Sequence, residues 1–549
     1  MIRRSTQTRS KSAQPAIVRH RRTRQAATYM CCLFALAAIS VAGIVQTASA
    51  HAAGAPHPAT DYLGLVLKQQ AEFLDPSPGA YDMFGFSVAV SGNTAVVGAR
   101  TKTVDGHDYA GAAYVYVRSG ATWSQQAVLS AADVADGTCF GSSVAISGDT
   151  IVVGAVGTIV DAKSYAGAAY VFTRTGTTWS QQTKLTEPVT GAGDSFGNSV
   201  AVSGNIAVVG AWQTTGVAGA YAGAAYVSTR TGTTWSVPAT LTPLDASAGA
   251  YFGTSVAVSG TTAVVGAREM GIAGHVTGAA YVFALSGTSW PQQAELTASD
   301  GANADWFGSS VAVSGNTALI GAQHVTVSGQ SWGGAAYVFT RSGTIWSQQT
   351  KLSDPVAATG DRFGAAVAVS GNVAVVGAYN KSLVTNGAGA AYFFTRAGTL
   401  WSQPWPVVAS DAASNDEFGW SVGLAGNTAV IGAQWKTVGG QPEAGAAYID
   451  VIPGKPSLTL KASPTTVKVG RTVTLTGVVK NSVAAVRTVM IERKVGTKMT
   501  VLKKVTLTKS GSFKAYLKPG KIGKWVLVAC YKVGKTAYLS KAVVVTVHK

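Results

Sequence analysis

Short apolar runs alternate with turn-forming residues along most of the chain, and they do so at a fixed period. The phrase FGFSVAVSG recurs with small changes, and each copy is followed by a run like NTAVVGA, then by GAAY and, in most repeats, by a run like WSQQxxL. Runs of this length, rich in Val and aromatic residues and bounded by Gly, Asn and Ser, are typical of β-strands joined by tight turns. Each repeat therefore predicts four strands. The copies begin at Phe84, Phe140, Phe196, Phe252, Phe307, Phe363 and Phe418.

The number of repeats and their order along the chain predict a closed ring. Four antiparallel strands repeated seven times around an axis describe a seven-bladed β-propeller. The WSQQ-like phrase is missing after the last GAAY, but a matching phrase, LKQQAEFL, lies before the first repeat at residues 67–74. We therefore expect the N-terminal strand to complete the last blade, so that no sheet edge is left exposed. The predicted fold class is all-β, with the propeller over residues 62–453 and a second β domain after it.

These phrases resemble the FG-GAP repeat, the unit of the integrin α-chain propeller and of many bacterial surface proteins. All seven copies keep the Phe-Gly and the Gly-Ala that follows it. The resemblance implies an extracellular propeller with a role in binding or adhesion. In family members that bind calcium, a D-x-D-x-D-G-type loop joins the first two strands. Here that place holds Ser91-Gly92-Asn93-Thr94 or a close variant, so the family calcium loops are absent and no cofactor is expected.

Aspartates recur two positions before the Phe of five repeats. A carboxylate at this place commonly accepts backbone N–H groups and holds the loop that enters the first strand. We favour this structural role. The alternative is a metal site, best represented by the spacing of Asp300, Asn303 and Asp305, which lacks a bidentate Glu. The five aspartates are Asp82, Asp194, Asp305, Asp361 and Asp416.

The N-terminal segment has the order of an export signal. Residues 1–26 carry eight Lys/Arg and no acid, residues 27–46 are apolar, and an Ala-x-Ala site follows at residues 48–50. We therefore predict a signal peptide over residues 1–50 and a linker over residues 51–61. A retained N-terminal anchor is the alternative, because the apolar run is long enough to span a bilayer.

The composition excludes disordered and coiled-coil proteins and leaves open whether two cysteines are bridged. With 64 Gly in 549 residues and only 12% charged residues, the chain is not a typical disordered or coiled-coil protein. Beyond the signal it keeps only Cys139 and Cys530, which is too few for a disulfide framework. A single bridge between them and two unpaired thiols both fit the sequence.

Residues 455–549 differ from the repeats in pattern and in charge. They contain seven strand-like runs, which resemble the Ig-like β-sandwich modules of bacterial exported proteins. They hold twenty Lys/Arg against one acid, Glu492, whereas residues 27–454 hold fifteen Lys/Arg and twenty-four Asp/Glu. Such a basic surface could hold an anionic cell-wall polymer through weak, salt-sensitive contacts, and an ordinary solvated Lys-rich surface is the equal alternative. Nucleic acid is not expected as a partner, because no binding motif is recognisable.

The candidate binding surface is the set of loops between Gly-Ala and GAAY. These loops differ from repeat to repeat while their flanks barely change, and variable loops on a rigid scaffold commonly carry binding. Exposed Trp, Tyr and Arg suit the recognition of sugar rings or of protein partners; loop drift without a ligand is the alternative. The candidate residues are Arg100, His107, Asp108, Trp212, Arg268, Glu269, His324, Trp332, Tyr379, Asn380, Trp435 and Lys436.

The motifs give little support to catalysis. The sequence contains no nucleophile elbow, HExxH, CxxC pair or phosphate-cradling glycine loop. We therefore expect an exported, monomeric surface protein that binds an unidentified protein or glycan ligand and is not an enzyme. The alternatives are a secreted carbohydrate-active or other hydrolytic enzyme that uses the same loop face, and a structural wall protein.

Overall fold

The computed structural model describes residues 68–452 except 217 and 273, and residues 457–549 except 481–487, 496, 509–510 and 534–535. The predicted signal peptide and linker lie outside these ranges. Every regular element in the described ranges is a β-strand. They include no apolar helix of membrane-crossing length.

The first three sheets repeat one pattern of strands. β1 (Lys68–Phe73) precedes them in the chain. Sheet 1 contains β2 (Phe84–Ser91), β3 (Thr94–Ala99), β4 (Ala112–Ser119) and β5 (Thr122–Leu129). Sheet 2 contains β6 (Phe140–Ser147), β7 (Thr150–Ala155), β8 (Ala168–Thr175) and β9 (Thr178–Leu185). Sheet 3 contains β10 (Ser199–Ser203), β11 (Ile206–Ala211), β12 (Ala224–Thr231), β13 (Thr234–Trp235) and β14 (Ala239–Leu241).

Four more sheets follow with the same order. Sheet 4 contains β15 (Phe252–Ser259), β16 (Thr262–Ala267), β19 (Ala279–Ala284) and β20 (Gln292–Leu296), with a small ribbon of β17 (Gly271–Ile272) and β18 (His275–Val276) beside it. Sheet 5 contains β21 (Phe307–Ser314), β22 (Thr317–Ala322), β23 (Ala335–Ser342) and β24 (Ile345–Leu352). Sheet 6 contains β25 (Ala366–Ser370), β26 (Val373–Ala378), β27 (Ala390–Ala397), β28 (Leu400–Trp401) and β29 (Trp405–Val407). Sheet 7 contains β30 (Ser421–Ala425), β31 (Thr428–Ala433), β32 (Ala446–Val451) and β1.

The seven sheets follow one another in a ring, which is consistent with a seven-bladed β-propeller. The first strand of each sheet contacts the first strand of the next, and β30 of sheet 7 contacts β2 of sheet 1. β1 pairs antiparallel with β32, with Phe73 opposite Ala447. The N-terminal strand therefore completes the sheet whose other strands come from the end of the ring.

The constant Phe-Gly and Gly-Ala pairs mark the places where neighbouring sheets touch. A Cβ atom on Gly98 would collide with the carbonyl oxygen of Gly141, and one on Gly432 would collide with that of Gly85. The Gly-Ala glycine of each sheet therefore lets the Phe-Gly backbone of the next sheet approach closely. The Phe ring is buried and packs edge-on against the Tyr of GAAY, as in Phe84 and Tyr114, whose ring centroids lie 5.1 Å apart.

The recurrent Arg, Trp and Gln of the third and fourth strands also join neighbouring sheets. Arg118 lies over the Trp123 ring at 5.4 Å, and its guanidinium donates to Asn93 Oδ1 and, at 3.3 Å, to Thr428 Oγ1 of sheet 7. Trp123 Nε1 donates to Gln70 Oε1 of β1 at 3.2 Å. These side chains are packing residues. Equivalent contacts are made by Arg174, Arg230, Arg341 and Arg396.

The C-terminal region forms two further sheets. Its strands are β33 (Ser457–Leu458), β34 (Lys461–Ser463), β35 (Thr466–Lys468), β36 (Val473–Lys480), β37 (Thr488–Val495), β38 (Lys498–Thr506), β39 (Ser512–Leu517), β40 (Gly523–Val533), β41 (Thr536–Leu539) and β42 (Val543–His548). β33, β34 and β39 pair with β36, and the other six form the second sheet. Both sheets contribute to one hydrophobic cluster, which includes Leu475, Phe513 and Leu527. Cys530 is a free, buried thiol, so no bridge joins it to Cys139.

Candidate functional site

A cavity lies where the sheets of the ring converge, and we call it the axial cavity. Its volume is about 280 Å³. Sheets 1, 4, 5, 6 and 7 or the loops that enter and leave them supply its lining. With the exception of His324, each lining residue either flanks a Phe-Gly pair or directly follows a Gly-Ala pair. The lining residues are Phe86, Thr254, Arg268, Trp306, Gln323, His324, Arg362, Ala365, Tyr379 and Trp420.

The residue before Phe-Gly has the same backbone conformation in every repeat. All seven of these residues have left-handed conformations, with φ between 53° and 63°, although none is glycine. This conformation is unfavourable for bulky side chains such as Trp306 and Arg362. Hydrogen bonds on both sides hold it: Arg362 N donates to Trp332 O at 3.0 Å, and Ala365 N donates to Arg362 O at 3.1 Å. The fold therefore presents different side chains from one fixed backbone position.

Arg268 lies among three aromatic rings beside the cavity. Its guanidinium carbon is 4.7 Å from the ring centre of Trp212, 5.1 Å from that of Tyr251 and 4.9 Å from that of Trp306. Burial lowers the pKa of the guanidinium, and the nearby Glu269 and Tyr251 oppose that shift. Its Nε is buried without a hydrogen-bond partner, and Glu269 Oε1 lies 3.5 Å away. Cation–π contacts with three rings thus add to a long ion pair with Glu269.

The second arginine of the cavity lies beside a stacked histidine. The Arg362 guanidinium carbon lies 4.5 Å from the ring centre of Trp332. Burial lowers the pKa of Arg362. His324 stacks on Trp306 with ring centres 3.7 Å apart. Burial, together with the charges of Arg362 and Arg268, lowers the pKa of His324 to about 3, so its imidazole is neutral at physiological pH.

A wall of aromatic rings continues around the other side of the cavity. Tyr379 contacts Trp420 at 5.0 Å, and Trp420 contacts Phe86 at 5.8 Å between ring centres. Arg100 lies over Phe86 at 4.4 Å. Close to this wall, Glu417 accepts a hydrogen bond from Gln434 Nε2 at 2.8 Å, and burial raises the pKa of Glu417 to about 7. The lining is therefore dominated by aromatic and cationic groups.

The structure brings half of the sequence-predicted candidates to the cavity. Three of them line it directly: Arg268, His324 and Tyr379. Three more touch lining residues, namely Trp212, Trp332 and Arg100. Glu269 lies beside Arg268 but does not line the cavity.

The other candidates do not line the cavity, and four of them have local partners. His107 Nδ1 is 3.1 Å from Asp136 Oδ1, and the backbone N–H of Asp108 donates to the same oxygen. Asn380 Nδ2 donates to Gly360 O at 3.0 Å. Lys436 is buried and forms an ion pair of 2.7 Å with Asp411. Trp435 does not line the cavity.

Sequence reasoning missed the lining residues that flank Phe-Gly, above all Phe86, Trp306, Arg362 and Trp420. The repeats contain a signal for Trp306 and Arg362, which precede Phe-Gly. The position before Phe-Gly changes in every copy although its surroundings are nearly constant, and this contrast marks a side chain that the scaffold does not require. The residues at that position are Met83, Cys139, Ser195, Tyr251, Trp306, Arg362 and Glu417.

The recurrent aspartates hold the loops that enter the first strands, as the sequence predicted. Each accepts the backbone N–H of the residue three positions earlier; Ala302 N, for example, donates to Asp305 Oδ2 at 2.7 Å. Asp300 is engaged with Lys351 Nζ at 2.6 Å. The described residues contain no group of three or more His, Cys, Asp or Glu placed to hold a metal ion.

Comparison with known proteins identifies the repeat. The family model described as FG-GAP repeat matches residues 67–116, 123–172, 179–228, 235–283, 290–339, 346–394 and 401–449. No curated protein matches the chain. One similar solved structure is a crystal structure of a protein from Corynebacterium diphtheriae described as membrane anchored. It shares 13% sequence identity at a TM-score of 0.15, and the match covers 32% of this chain and 42% of that protein, so this chain spans less than half of its length.

Proposed function

The chain belongs to the FG-GAP repeat family, and from this premise we propose that it is an exported surface protein that binds a protein or glycan ligand at the axial cavity. The ring acts as an integrin-like propeller, and residues 455–549 form an Ig-like module. One observation carries the proposal: the side chains that vary between repeats converge from several sheets on one cavity rich in aromatic residues and Arg. Such side chains supply much of the energy at binding sites.

The chemistry of the cavity supports a binding role rather than a catalytic one. Its lining contains no Asp or Glu. Its histidine, His324, is held neutral and stacked on Trp306, which makes it a poor general acid or base near neutral pH. We therefore propose a non-enzymatic function at the cell surface.

A pair of Ala→Trp substitutions tests whether binding uses the cavity. Ala365 lines the cavity, whereas Ala397 is exposed at the end of β27. On an array of glycans and wall polymers, we expect the parent and Ala397→Trp to bind the same component. Ala365→Trp should lose that binding, because its indole fills the cavity. Binding that survives in Ala365→Trp would contradict an axial site, and an array with no bound component would contradict the glycan or wall-polymer role.

We further propose that the basic C-terminal module attracts anionic wall polymer. Lys503, Lys504, Lys518, Lys521 and Lys524 are all exposed, and exposed charges act over a distance of about 8 Å at physiological salt and about 3 Å at 1 M. Association should therefore weaken steeply with salt.

Replacing those five lysines with Gln should weaken binding of the full chain to isolated anionic wall polymer, because it removes five positive charges. Replacing the same five with Arg should preserve binding, since the charge is kept. Sedimentation of the protein with the polymer across a salt series measures both effects. If the Gln variant binds as the parent does, or if molar salt changes nothing, the module is a spacer with a solvated surface.

A further inference from the structure

Of the two arginines of the axial cavity, only Arg268 has an acidic partner among the described residues, Glu269. No acidic side chain is among the groups that shift the pKa of Arg362, and the lining contains no carboxylate. The nearest acid to Arg268 is Glu269, at 3.5 Å from Nε, which is beyond a good charge-assisted hydrogen bond. Both side chains are largely withdrawn from water, and burying such a charge is costly unless it is paired. The charge of Arg362, which no described acid matches, favours an anionic ligand.

The rest of the lining limits the shape of that ligand. Trp306, Tyr379 and Trp420 offer ring faces on which a flat, partly apolar body can stack. A volume of about 280 Å³ lies just below the range of about 300–1,000 Å³ that is typical of small-molecule pockets. The cavity therefore suits a single ring-sized unit rather than a length of chain.

Uncharged polar groups of the lining favour a carboxylate on a sugar over a carboxylate on a protein side chain. Thr254, Gln323 and the neutral His324 line the same cavity. A carboxylate on a protein side chain would engage an arginine but would bring no hydroxyl groups to pair with these half-buried side chains. A sugar ring supplies hydroxyl groups that can pair with them.

From these contacts, and resting on the proposed binding role, we infer that the axial cavity binds a uronate unit of an acidic polysaccharide. The guanidinium groups of Arg268 and Arg362 hold the carboxylate, because their planar N–H forks match its two oxygens. The aromatic rings stack on the sugar, and Thr254, Gln323 and His324 pair with its hydroxyls. The basic C-terminal module would attract the same polyanion.

The experiment compares ligands that differ only in the carboxylate. Calorimetry and the fluorescence of the cavity tryptophans are followed as the full chain is titrated with glucuronate or a short oligoglucuronate, and with glucose or the matching glucose oligomer. We expect binding of the uronate compounds at least about 10-fold tighter, since a hydrogen bond to a charged group contributes on the order of a tenfold change in affinity or more. Equal affinities for the two sets would overturn the inference.

Substitutions of Arg362 test whether the carboxylate of the ligand binds at this residue. Arg362→Gln should weaken uronate binding at least about 10-fold, and Arg362→Lys should weaken it less, because it keeps the charge but loses the fork. The control is Lys163→Gln, which removes the same charge from an exposed loop residue and should change nothing. Melting curves of each variant verify folding. If Arg362→Gln is folded and binds uronate as Lys163→Gln does, the assignment is wrong.

The outcomes separate this inference from the proposed function. A neutral glycan or a phosphate-bearing sugar that binds the parent and is lost in Ala365→Trp would leave the binding role standing and overturn the uronate assignment. An array with no bound component, uronates included, would overturn both.

Discussion

Deleting residues 62–74 should make the protein aggregate or melt at a clearly lower temperature. β1 lies within this segment and supplies the fourth strand of sheet 7, where it pairs with β32. Without it, β32 presents an unpaired edge, and exposed edges favour pairing with other chains. The deletion also removes the contacts that join sheet 7 to sheet 1, including the stacking of Phe73 on Tyr116 at 3.9 Å. Thermal melting and light scattering measure the effect.

A point substitution separates ring closure from the loss of chain length. Phe73 is buried within the cluster that joins sheets 7 and 1, and Phe73→Ala should cost about 3–5 kcal/mol of unfolding free energy. The neighbouring Leu74 is 38% exposed, so Leu74→Ala should cost much less. A deletion variant as soluble and heat-stable as the parent would refute the role of β1 in closing the ring.

Replacing Lys381 with Met should destabilise the protein by about 3–5 kcal/mol at neutral pH, because removing one partner leaves buried charges uncompensated. Lys381 Nζ lies 2.8 Å from Asp354 Oδ2 and 2.8 Å from Asp361 Oδ2, and all three side chains are almost completely buried. Burial alone would lower the pKa of Lys381, but hydrogen bonds and charge from both aspartates raise it. Chemical denaturation of parent and variant measures the difference.

The cost of Lys381→Met should shrink in acid. Burial already raises the pKa of Asp361, and the lysine opposes that shift, so removing the lysine raises the pKa further. A carboxyl whose folded pKa lies above its unfolded value gains stability as pH falls, because the folded state then binds more protons. The variant should therefore recover stability as pH falls through the raised pKa of Asp361 toward the ordinary value of 3.8.

The matched control for this substitution is Lys351→Met. Lys351 lies 2.6 Å from Asp300, but that pair is 30% and 48% exposed, and exposed pairs contribute about 0–1 kcal/mol. Its loss should therefore be small at every pH. Equal costs for the two variants, or a cost of Lys381→Met that does not vary with pH, would contradict the buried-pair account.

Only part of the cavity lining can be predicted from the sequence. The variation among the long loops after Gly-Ala predicts a binding surface there, and Arg268, His324 and Tyr379 from those loops line the cavity. Lys436, from an equivalent loop, looked like a candidate of the same kind but is buried in an ion pair with Asp411. Asp411 lies in the preceding loop of the ring, so the residues next to Lys436 in the sequence do not predict this ion pair.

The sequence by itself determined the repeat, the strands and the order of the sheets. Strand and turn propensities are local, so they can be read from each repeat. A contact such as that of Gly432 against Gly85 requires glycine at the same place in every copy, and seven copies of one pattern therefore predict the repeat and its order. The tertiary structure alone decided which variable side chains meet. Trp306 and Arg362 belong to successive repeats, and their direction follows from a left-handed backbone conformation held by neighbouring strands. Ring curvature, a property of all seven sheets together, brings them to one cavity.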